Sequence, residues 1–121
     1  ERLVKKRQQW QAIAIAACEQ CGRAQIPEIS LPLNLDEFLQ KKESGTGYVL
    51  EPYAGKPLRE YDAPAGFMTL LIGPEGGFSS EELDRILAVD FLPVTLGPRI
   101  LRAETAAICA LSVVQALWGD L

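Results

Sequence analysis

The sequence predicts an α/β domain with a mostly parallel sheet and helices on both of its faces. Strand-like and helix-like segments alternate from residue 47 onward, which is typical of parallel sheets. The segment FMTLLIG (67–73) is a nearly continuous apolar run, as expected of a central strand covered on both sides. We therefore expect one compact domain over residues 1–121, large enough for a hydrophobic core.

The first third of the chain predicts two helices and one short strand. Apolar and small residues recur at helical spacing over residues 3–22, and the glycine that ends this range suits a helix end. AIAIAAC (12–18) is apolar nearly all round, which predicts a well-buried element. IPEIS (26–30) is a candidate short strand, and NLDEFLQKK (34–42) begins with an asparagine cap followed by acids.

The middle of the chain predicts a strand and a capped helix. GYVLEPY (47–53) is a predicted strand, which Pro52 ends before a turn at residues 55–57. After the apolar run, Ser79 and Glu82 have the spacing of a capping box. The helix that they begin runs to about residue 89.

The last part of the chain predicts a strand, a loop and a helix. FLPVTLG (91–97) is the strand, PRILRAET (98–105) the loop and AAICALSVVQALW (106–118) the helix. A helix at the edge of a small domain should show a polar face, and this one barely does. Either a symmetric dimer covers its outer face, or the helix is buried within its own fold.

The charges are distributed unevenly. The net charge is −4, but residues 1–25 carry five basic side chains against two acidic ones, which leaves −7 for the rest. An acidic body does not attract RNA through its general field, so any RNA contact is local or belongs to another domain or subunit. The run Lys5, Lys6 and Arg7 falls on the first turns of a helix, where such runs are most often a solvated face.

Residue types exclude several kinds of chemistry. The chain has no histidine, which rules out Ser-His-Asp and Cys-His catalysis and His-ligated metal within it. Cys18 and Cys21 form a C-x-x-C, but only Cys109 remains as a further zinc ligand, and a redox pair would begin a helix. We expect small buried residues and no metal. No apolar run reaches the length of a membrane span and no signal peptide opens the chain, so we expect a soluble, cytoplasmic protein without a membrane partner.

Three loops follow predicted strands, at residues 51–53, 73–77 and 96–102, and ligands of parallel sheets bind at such loops. The second, Gly-Pro-Glu-Gly-Gly, matches neither a Walker A loop nor G-x-G-x-x-G. Glu75 and the acids of the next helix disfavour a phosphate there. A backbone that approaches a cationic or hydrogen-bond-donating ligand remains, with a plain turn as the alternative. The third loop repeats the Gly-Pro theme with Arg99 and Arg102, which favours the ligand.

Three segments carry a further signal in combination: LLIGPEGGFSSEEL (70–83), LGPRILRAETAA (96–107) and, before them, EQCGRAQIPEI (19–29). Together they closely resemble the RsmE family of ribosomal RNA methyltransferases in the SPOUT superfamily. The resemblance covers nearly the whole chain. It implies a trefoil-knotted α/β domain, and homodimers that pack through their C-terminal helices. It also implies S-adenosylmethionine as cofactor and N3 of a uridine in small-subunit (16S) ribosomal RNA as the methyl acceptor.

The resemblance also implies which residues hold the cofactor, largely through their backbone. Carried over by motif, they come from the three loops and are Leu50, Pro52, Ile72, Gly73, Pro74, Glu75, Gly76, Gly77, Leu96, Gly97, Arg99, Ile100 and Leu101.

Arg102 and Glu75 are the candidate catalytic residues. A cation near the uracil would stabilise its developing negative charge, and Arg102 is the candidate for this role or for gripping a phosphate. The alternative for Arg102 is an ion pair with Glu104 or Glu75. Glu75 would position the cofactor or act as a base, and positioning is the favoured role.

Members of the resembled family begin with a barrel-like RNA-binding domain, followed by the first strand and helix of the catalytic domain. This chain has neither, so we expect a C-terminal fragment of the catalytic domain that does not methylate RNA alone. Two alternatives remain open: a SPOUT methyltransferase with another target, such as transfer RNA ribose, and a non-catalytic dimerisation or RNA-protein scaffold.

Overall fold

The structure is a computed structural model that describes residues 1–41 and 45–121. The chain divides into two compact units, Glu1–Lys41 and Lys42–Leu121. No helix within the described ranges has the length and apolar character that a membrane crossing requires.

The first unit contains the two predicted helices. Helix α1 (Arg2–Cys21) ends at Gly22, whose φ of 76° lies in the left-handed region that glycine adopts without strain. Helix α2 (Leu35–Gln40) begins with a reciprocal capping box between Asn34 and Glu37. Both helices are thereby confirmed, although residue 42, the end of the second predicted range, lies outside the described residues.

The expectation that α1 is well buried is wrong. Cys18 is the one buried residue of the helix, and Ile13 is 62% exposed. Small side chains occupy most of the stretch, and the segment that follows Gly22 covers one side of the helix only. The prediction of two buried cysteines holds for Cys18 and is wrong for Cys21, which is exposed, because the returning chain passes over Cys18.

Residues 26–30 form no strand, contrary to the sequence prediction. The backbone of this segment bonds to side chains of α1 instead of to a neighbouring strand. Gln11 accepts from the backbone N–H of Ile29 at 2.8 Å and donates to the carbonyl of Pro27 at 2.9 Å. Arg7 Nε donates to the carbonyl of Ile29 at 2.6 Å. These bonds satisfy the groups that a sheet would otherwise need to pair.

The second unit is built on a four-stranded parallel sheet, which confirms the α/β fold class. Its strands are β1 (Thr46–Leu50), β2 (Lys56–Pro57), β3 (Met68–Leu71) and β4 (Phe91–Thr95). Their order is β2-β4-β1-β3, and every adjacent pair is parallel. The strand β1 therefore lies between β3 and β4, and the carboxyl ends of all three meet at one edge.

This topology corrects the predictions of a turn at residues 55–57 and of a central strand at residues 67–73. Residues 55–57 include β2 rather than only a turn, because Lys56 aligns with Val94 of β4. A proline is tolerated in this strand because β2 lies at the edge of the sheet. The apolar strand β3 is also an edge strand of the described sheet and is only partly buried, so its prediction as a central strand is wrong. The apolar composition of β3 indicates contact with neighbouring elements, and it does not determine where the strand lies in the sheet.

The helices of the second unit lie close to their predicted positions. Helix α3 (Ser80–Ala88) has the predicted capping box: Ser79 Oγ accepts from Glu82 N at 3.1 Å, and Glu82 Oε1 accepts from Ser79 N at 2.8 Å. Helix α4 (Ala103–Trp118) begins three residues before its predicted start, so the loop predicted over residues 98–105 ends at Arg102.

The hydrophobic core of this unit lies between the sheet, the one-turn helix at Leu58–Glu60 and α4. Tyr48, Leu58 and Val94 form its centre, and Val113 and Trp118 of α4 pack against them. The opposite side of α4 remains apolar and exposed, with Ile108 69% and Leu111 55% accessible. One face of α4 thus belongs to its own fold, and the other is not covered by any of the residues that the structure describes.

Candidate cofactor-binding cleft

A cleft opens beyond the carboxyl ends of β1, β3 and β4. The three predicted loops meet there, since the parallel register places the three strand ends side by side. Its walls are formed by residues 50–53, residues 72–78, residues 95–96 and 99–101, and the first turn of α4. The three predicted loops therefore lie at one edge of the sheet.

The glycine loop after β3 is a tight turn held by its own backbone. Gly77 N donates to the carbonyl of Pro74 at 2.8 Å. The φ of Gly77 is 77°, in the left-handed region, so a side chain there would strain the turn. Gly73 packs so closely on the Phe78 ring that a Cβ would lie 2.9 Å from it. Two glycines of the loop are therefore explained by the fold itself.

Gly76 has no such explanation. Its φ lies outside the left-handed region, and a Cβ there would meet no atom of the described chain within 4 Å. The residue nevertheless lines the cleft. A glycine that neither torsion nor internal packing requires is consistent with close approach of a ligand to the backbone at this point.

The charged groups of the cleft favour a ligand with positive charge. Two carboxylates line it, from Glu51 and Glu75, against one guanidinium, from Arg99. Glu51 is half-buried, and its Oε1 accepts from the backbone N–H of Tyr53 at 3.1 Å, which holds the carboxylate in place. Leucine, isoleucine and alanine side chains make up much of the remaining wall. The cleft therefore joins an apolar surface to a slight excess of negative charge.

The structure brings together all but one of the thirteen residues to which the sequence assigned cofactor binding. The exception is Gly97, which lies in the same loop with φ 78° and lines a second cavity that shares Leu96 and Leu101 with the cleft. Of the two candidate catalytic residues, Glu75 lines the cleft, and Arg102 does not.

Arg102 occupies the N-cap position of α4, directly after a residue that lines the cleft. Its side chain is exposed and makes no capping hydrogen bond. Among the residues that the structure describes, it forms no ion pair with Glu104 or Glu75, the alternative that the sequence left open. Its guanidinium is consequently available to a bound molecule.

Sequence reasoning left several lining residues unassigned. They are Glu51, Tyr53, Phe78, Thr95, Ala103 and Ala106. Glu51 and Tyr53 were within reach of sequence reasoning, because they follow β1 as directly as Pro52 does. The two alanines were not, since they belong to a helix whose orientation only the tertiary structure decides. No group of three or more Cys, Asp or Glu side chains in the described ranges could hold a metal ion.

A parallel sheet with a glycine-lined cleft beyond three adjacent strand ends defines an α/β protein with a cofactor site at a topological switch. The chain belongs to a family of this class: residues 1–115 match the RNA methyltransferase domain family.

Curated relatives with the name ribosomal RNA small subunit methyltransferase E are similar over most of this chain. The protein from Buchnera aphidicola subsp. Schizaphis graminum is 42% identical over 118 residues, which cover 97% of this chain and 48% of the relative. The Bacillus subtilis protein is 34% identical over 120 residues, with 92% and 47% covered. The chain thus spans about half the length of these relatives.

Two solved structures are similar to the chain along its whole length. A ribosomal RNA small subunit methyltransferase E from Neisseria gonorrhoeae, bound to S-adenosyl methionine, has a TM-score of 0.95 at 37% identity. The match covers 100% of this chain and 52% of that one. A methyltransferase from Legionella pneumophila in complex with the cofactor SAM has a TM-score of 0.91 at 50% identity, with 99% and 50% covered.

Proposed function

We propose that this chain is the cofactor-binding part of an S-adenosylmethionine-dependent methyltransferase that acts on N3 of a uridine in 16S ribosomal RNA. The observation that carries the proposal is the convergence of three Gly/Pro loops on one cleft, including a glycine that the fold itself does not require. The family membership and the cofactor-bound relatives support it. The proposal concerns the whole protein, because the chain spans about half the length of its relatives.

The cleft suits this cofactor by its chemistry. S-adenosylmethionine, when bound, supplies an electrophilic methyl group on a sulfonium cation. Glu51 and Glu75 would offset that positive charge, where a phosphate would be repelled. Leu50, Ile72 and Leu96 would hold the apolar faces of adenosine, and Gly76 would let the backbone donate and accept hydrogen bonds at close range.

The remaining roles concern the methyl acceptor. N3 of uracil must lose its imide proton before or during transfer, and negative charge develops on the ring. The Arg102 guanidinium, exposed at the start of α4 and free of the two ion pairs considered for it, would stabilise that charge or grip a neighbouring phosphate. Glu75 would orient the cofactor from within the cleft. Fixing the reacting groups in line accounts for much of the expected rate.

We further propose that the protein is a homodimer through α4. Ile108 and Leu111 are more than half exposed on this helix, while Ala106 and Ala110 are buried and Val113 and Val114 pack against the core. Exposed apolar side chains of this size on one helix are typical of an interface. Sedimentation of the intact protein at micromolar concentration would show a dimer, and Leu111→Asp would convert it to a monomer. A stable monomer of the unaltered protein would contradict this assembly.

The function is tested by incubating the intact protein with labelled S-adenosylmethionine and small-subunit ribosomal RNA from a strain that lacks the gene. Digestion of the RNA to nucleosides is expected to show label in 3-methyluridine. Label in a 2′-O-methyl nucleoside would point to a ribose methyltransferase instead. If calorimetry detects no binding of S-adenosylmethionine at millimolar concentration, the enzyme assignment is wrong and a scaffold role gains support.

A further inference from the structure

The outer face of α1 carries a cluster of positive charge that the proposed chemistry does not use. Arg2, Lys5 and Lys6 are all exposed at the beginning of the helix. Their spacing of three and four residues places them on adjacent turns of one side. They form what we term the basic face of α1.

The basic face lies opposite the side of α1 that contacts its own unit. The contacting side is marked by Arg7, Gln11 and Cys18, each of which bonds to the backbone of residues 25–29. At about 100° per residue, Arg7 and Gln11 fall within roughly 20° of Cys18 around the helix axis. The three residues of the basic face fall roughly 120° to 160° away from it. Their orientation away from the unit therefore follows from helix geometry and from the observed contacts.

The three cations of the basic face remain available to a partner molecule. Arg7, by contrast, donates a hydrogen bond to the carbonyl of Ile29 at 2.6 Å. No residue in the described ranges forms an ion pair with Arg2, Lys5 or Lys6. Glu1, the N-cap, and Glu19 lie 18 residues apart and so share one side of the helix, about 40° from Lys5 and about 100° to 140° from Arg2 and Lys6.

An exposed aromatic ring borders the basic face. Lys6 Nζ lies 6.0 Å from the centroid of the Trp10 ring, and that ring is 41% exposed. A cation beside an accessible indole offers a phosphate contact next to a surface on which a base can stack. The arrangement fits a nucleic acid better than it fits a solvated charge run, which needs no aromatic partner.

Acidic side chains outnumber basic ones over the rest of the chain. Residues 26–121 carry a net charge of −7, whereas residues 1–25 carry +3. The net charge of residues 26–121 does not attract RNA, so a phosphate backbone is attracted through local basic groups such as the three cations of α1 and the Arg102 guanidinium.

We propose that Arg2, Lys5 and Lys6 form a phosphate-contacting surface for the RNA substrate, with Trp10 at its border. The proposal rests on the proposed function for its choice of RNA over other polyanions. The surface binds RNA and takes no part in methyl transfer. It should therefore act on RNA affinity and KM and leave cofactor binding and kcat at saturating RNA unchanged.

The test compares the intact protein with the triple variant Arg2→Gln/Lys5→Gln/Lys6→Gln. RNA binding to a small-subunit ribosomal RNA transcript is measured over a series of salt concentrations. Losing three phosphate contacts should reduce the slope of log K against log salt by about 2. Between about 50 and 200 mM salt, the unaltered protein should lose roughly 15-fold more affinity than the variant.

Lys41→Gln is the matched control for Lys5→Gln. Each removes one exposed positive charge from the first unit, but Lys41 follows α2 and lies outside the basic face. The Lys5→Gln change should reduce the salt slope by about 0.7, and the Lys41→Gln change should leave it unaltered. Circular dichroism of each variant should match the unaltered protein, because none of the four side chains is buried.

An unchanged salt slope in the triple variant would overturn the proposal, and so would an equal effect of Lys41→Gln. A further outcome involves vesicles of equal parts phosphatidylcholine and phosphatidylglycerol. If the triple variant bound them less than the unaltered protein while its salt slope for RNA binding stayed the same, the basic face would be a membrane-binding surface instead. S-adenosylmethionine calorimetry reports the cleft separately. If the unaltered protein bound no cofactor while the RNA slope still fell in the variant, the RNA surface would stand and the proposed enzyme function would fail.

Discussion

The Tyr61 hydroxyl donates a hydrogen bond to the backbone carbonyl of Pro93, 2.5 Å away. The bond ties the segment after the one-turn helix to β4, the strand that leads into the third loop of the cleft. The Tyr61 ring also meets Tyr48 edge-on, with centroids 5.6 Å apart, and Tyr48 stacks on Trp118 of α4 at 6.0 Å. The aromatic side chains therefore connect β1, β4 and α4 behind the cleft.

Replacing Tyr61 with phenylalanine should destabilise the protein by about 1 kcal/mol, because the Pro93 carbonyl loses its side-chain donor while the ring contact with Tyr48 is kept. Urea unfolding followed by circular dichroism measures the change. Tyr53→Phe is the matched control, since the Tyr53 side chain is 81% exposed and should give no measurable effect. Equal stability of the Tyr61 variant and the unaltered protein would show that the hydroxyl bond contributes nothing net.

The same tyrosines predict a loss of stability at alkaline pH. Burial raises the pKa of Tyr48 above its ordinary value of 10.0, and the neighbouring Tyr61 and Asp62 raise it further. Burial also raises the pKa of Tyr61. Above about pH 10 the unfolded chain loses these protons while the folded protein keeps them, so the free energy of unfolding falls as the pH rises.

Denaturant unfolding at about pH 8 and about pH 11 tests this. The contribution is fully present at the lower pH and is lost as the pH passes through the raised folded-state pKa values. The double variant Tyr48→Phe/Tyr61→Phe should show a shallower decline, measured relative to its own stability at the lower pH. A decline of the same steepness in both proteins would assign the effect to other groups.

The capping box of α3 supports a third prediction. Ser79→Ala removes the acceptor for Glu82 N and should cost about 1 kcal/mol of stability. Ser80→Ala, one residue later and inside the helix, is the matched control and should be close to neutral. Thermal unfolding of the two variants side by side gives the difference. A Ser79 variant as stable as the Ser80 variant would mean that water replaces the cap without cost.

Alanine substitution should have different effects at two adjacent glycines, on cofactor affinity at Gly76 and on stability at Gly77. Gly76→Ala should change stability by less than about 0.5 kcal/mol, because a Cβ there meets no protein atom within 4 Å. The added methyl should nevertheless weaken S-adenosylmethionine binding at least about tenfold, or about 1.4 kcal/mol, by blocking close approach to the backbone. Calorimetry of the intact protein measures this affinity.

Gly77→Ala is the counterpart of Gly76→Ala. Its φ of 77° makes an alanine strained in the folded state, so the expected cost is about 1–2 kcal/mol of stability. Unaltered cofactor affinity in Gly76→Ala would contradict the assignment of this residue to the ligand surface.

Arg102→Ala tests the remaining candidate catalytic group. If its guanidinium stabilises charge on the uracil, kcat should fall by about 10²- to 10³-fold while cofactor affinity is unchanged. Arg59→Ala, another exposed arginine of the second unit, is the control and should keep normal turnover. A raised KM for RNA with an unchanged kcat would instead assign Arg102 to phosphate binding. Normal values of both constants would remove it from the reaction.

Predictions that depend on residues close together in the sequence were confirmed more often than predictions that depend on distant parts of the chain. The capping boxes at Asn34 and Ser79 depend on four consecutive residues, and both are present. The three loops follow strands as predicted, and the parallel alignment of those strands brings them together. Two of the failures concerned neighbours: residues 26–30 bond to α1 side chains, and β3 lies at an edge of the sheet. Nothing local to those segments specifies which partner they meet.

The sequence by itself determined the fold class, most element positions and the loops that form the cleft. These follow from hydrophobic periodicity, cap residues and turn glycines, which act over a few residues. Only the tertiary structure shows that a Cβ at Gly76 would meet no described atom within 4 Å. It also shows that Arg102 forms neither of its candidate ion pairs among the described residues. It alone placed Arg2, Lys5 and Lys6 opposite the contacting side of α1. Such facts depend on the distances between atoms far apart in the chain, and residue order does not encode them directly.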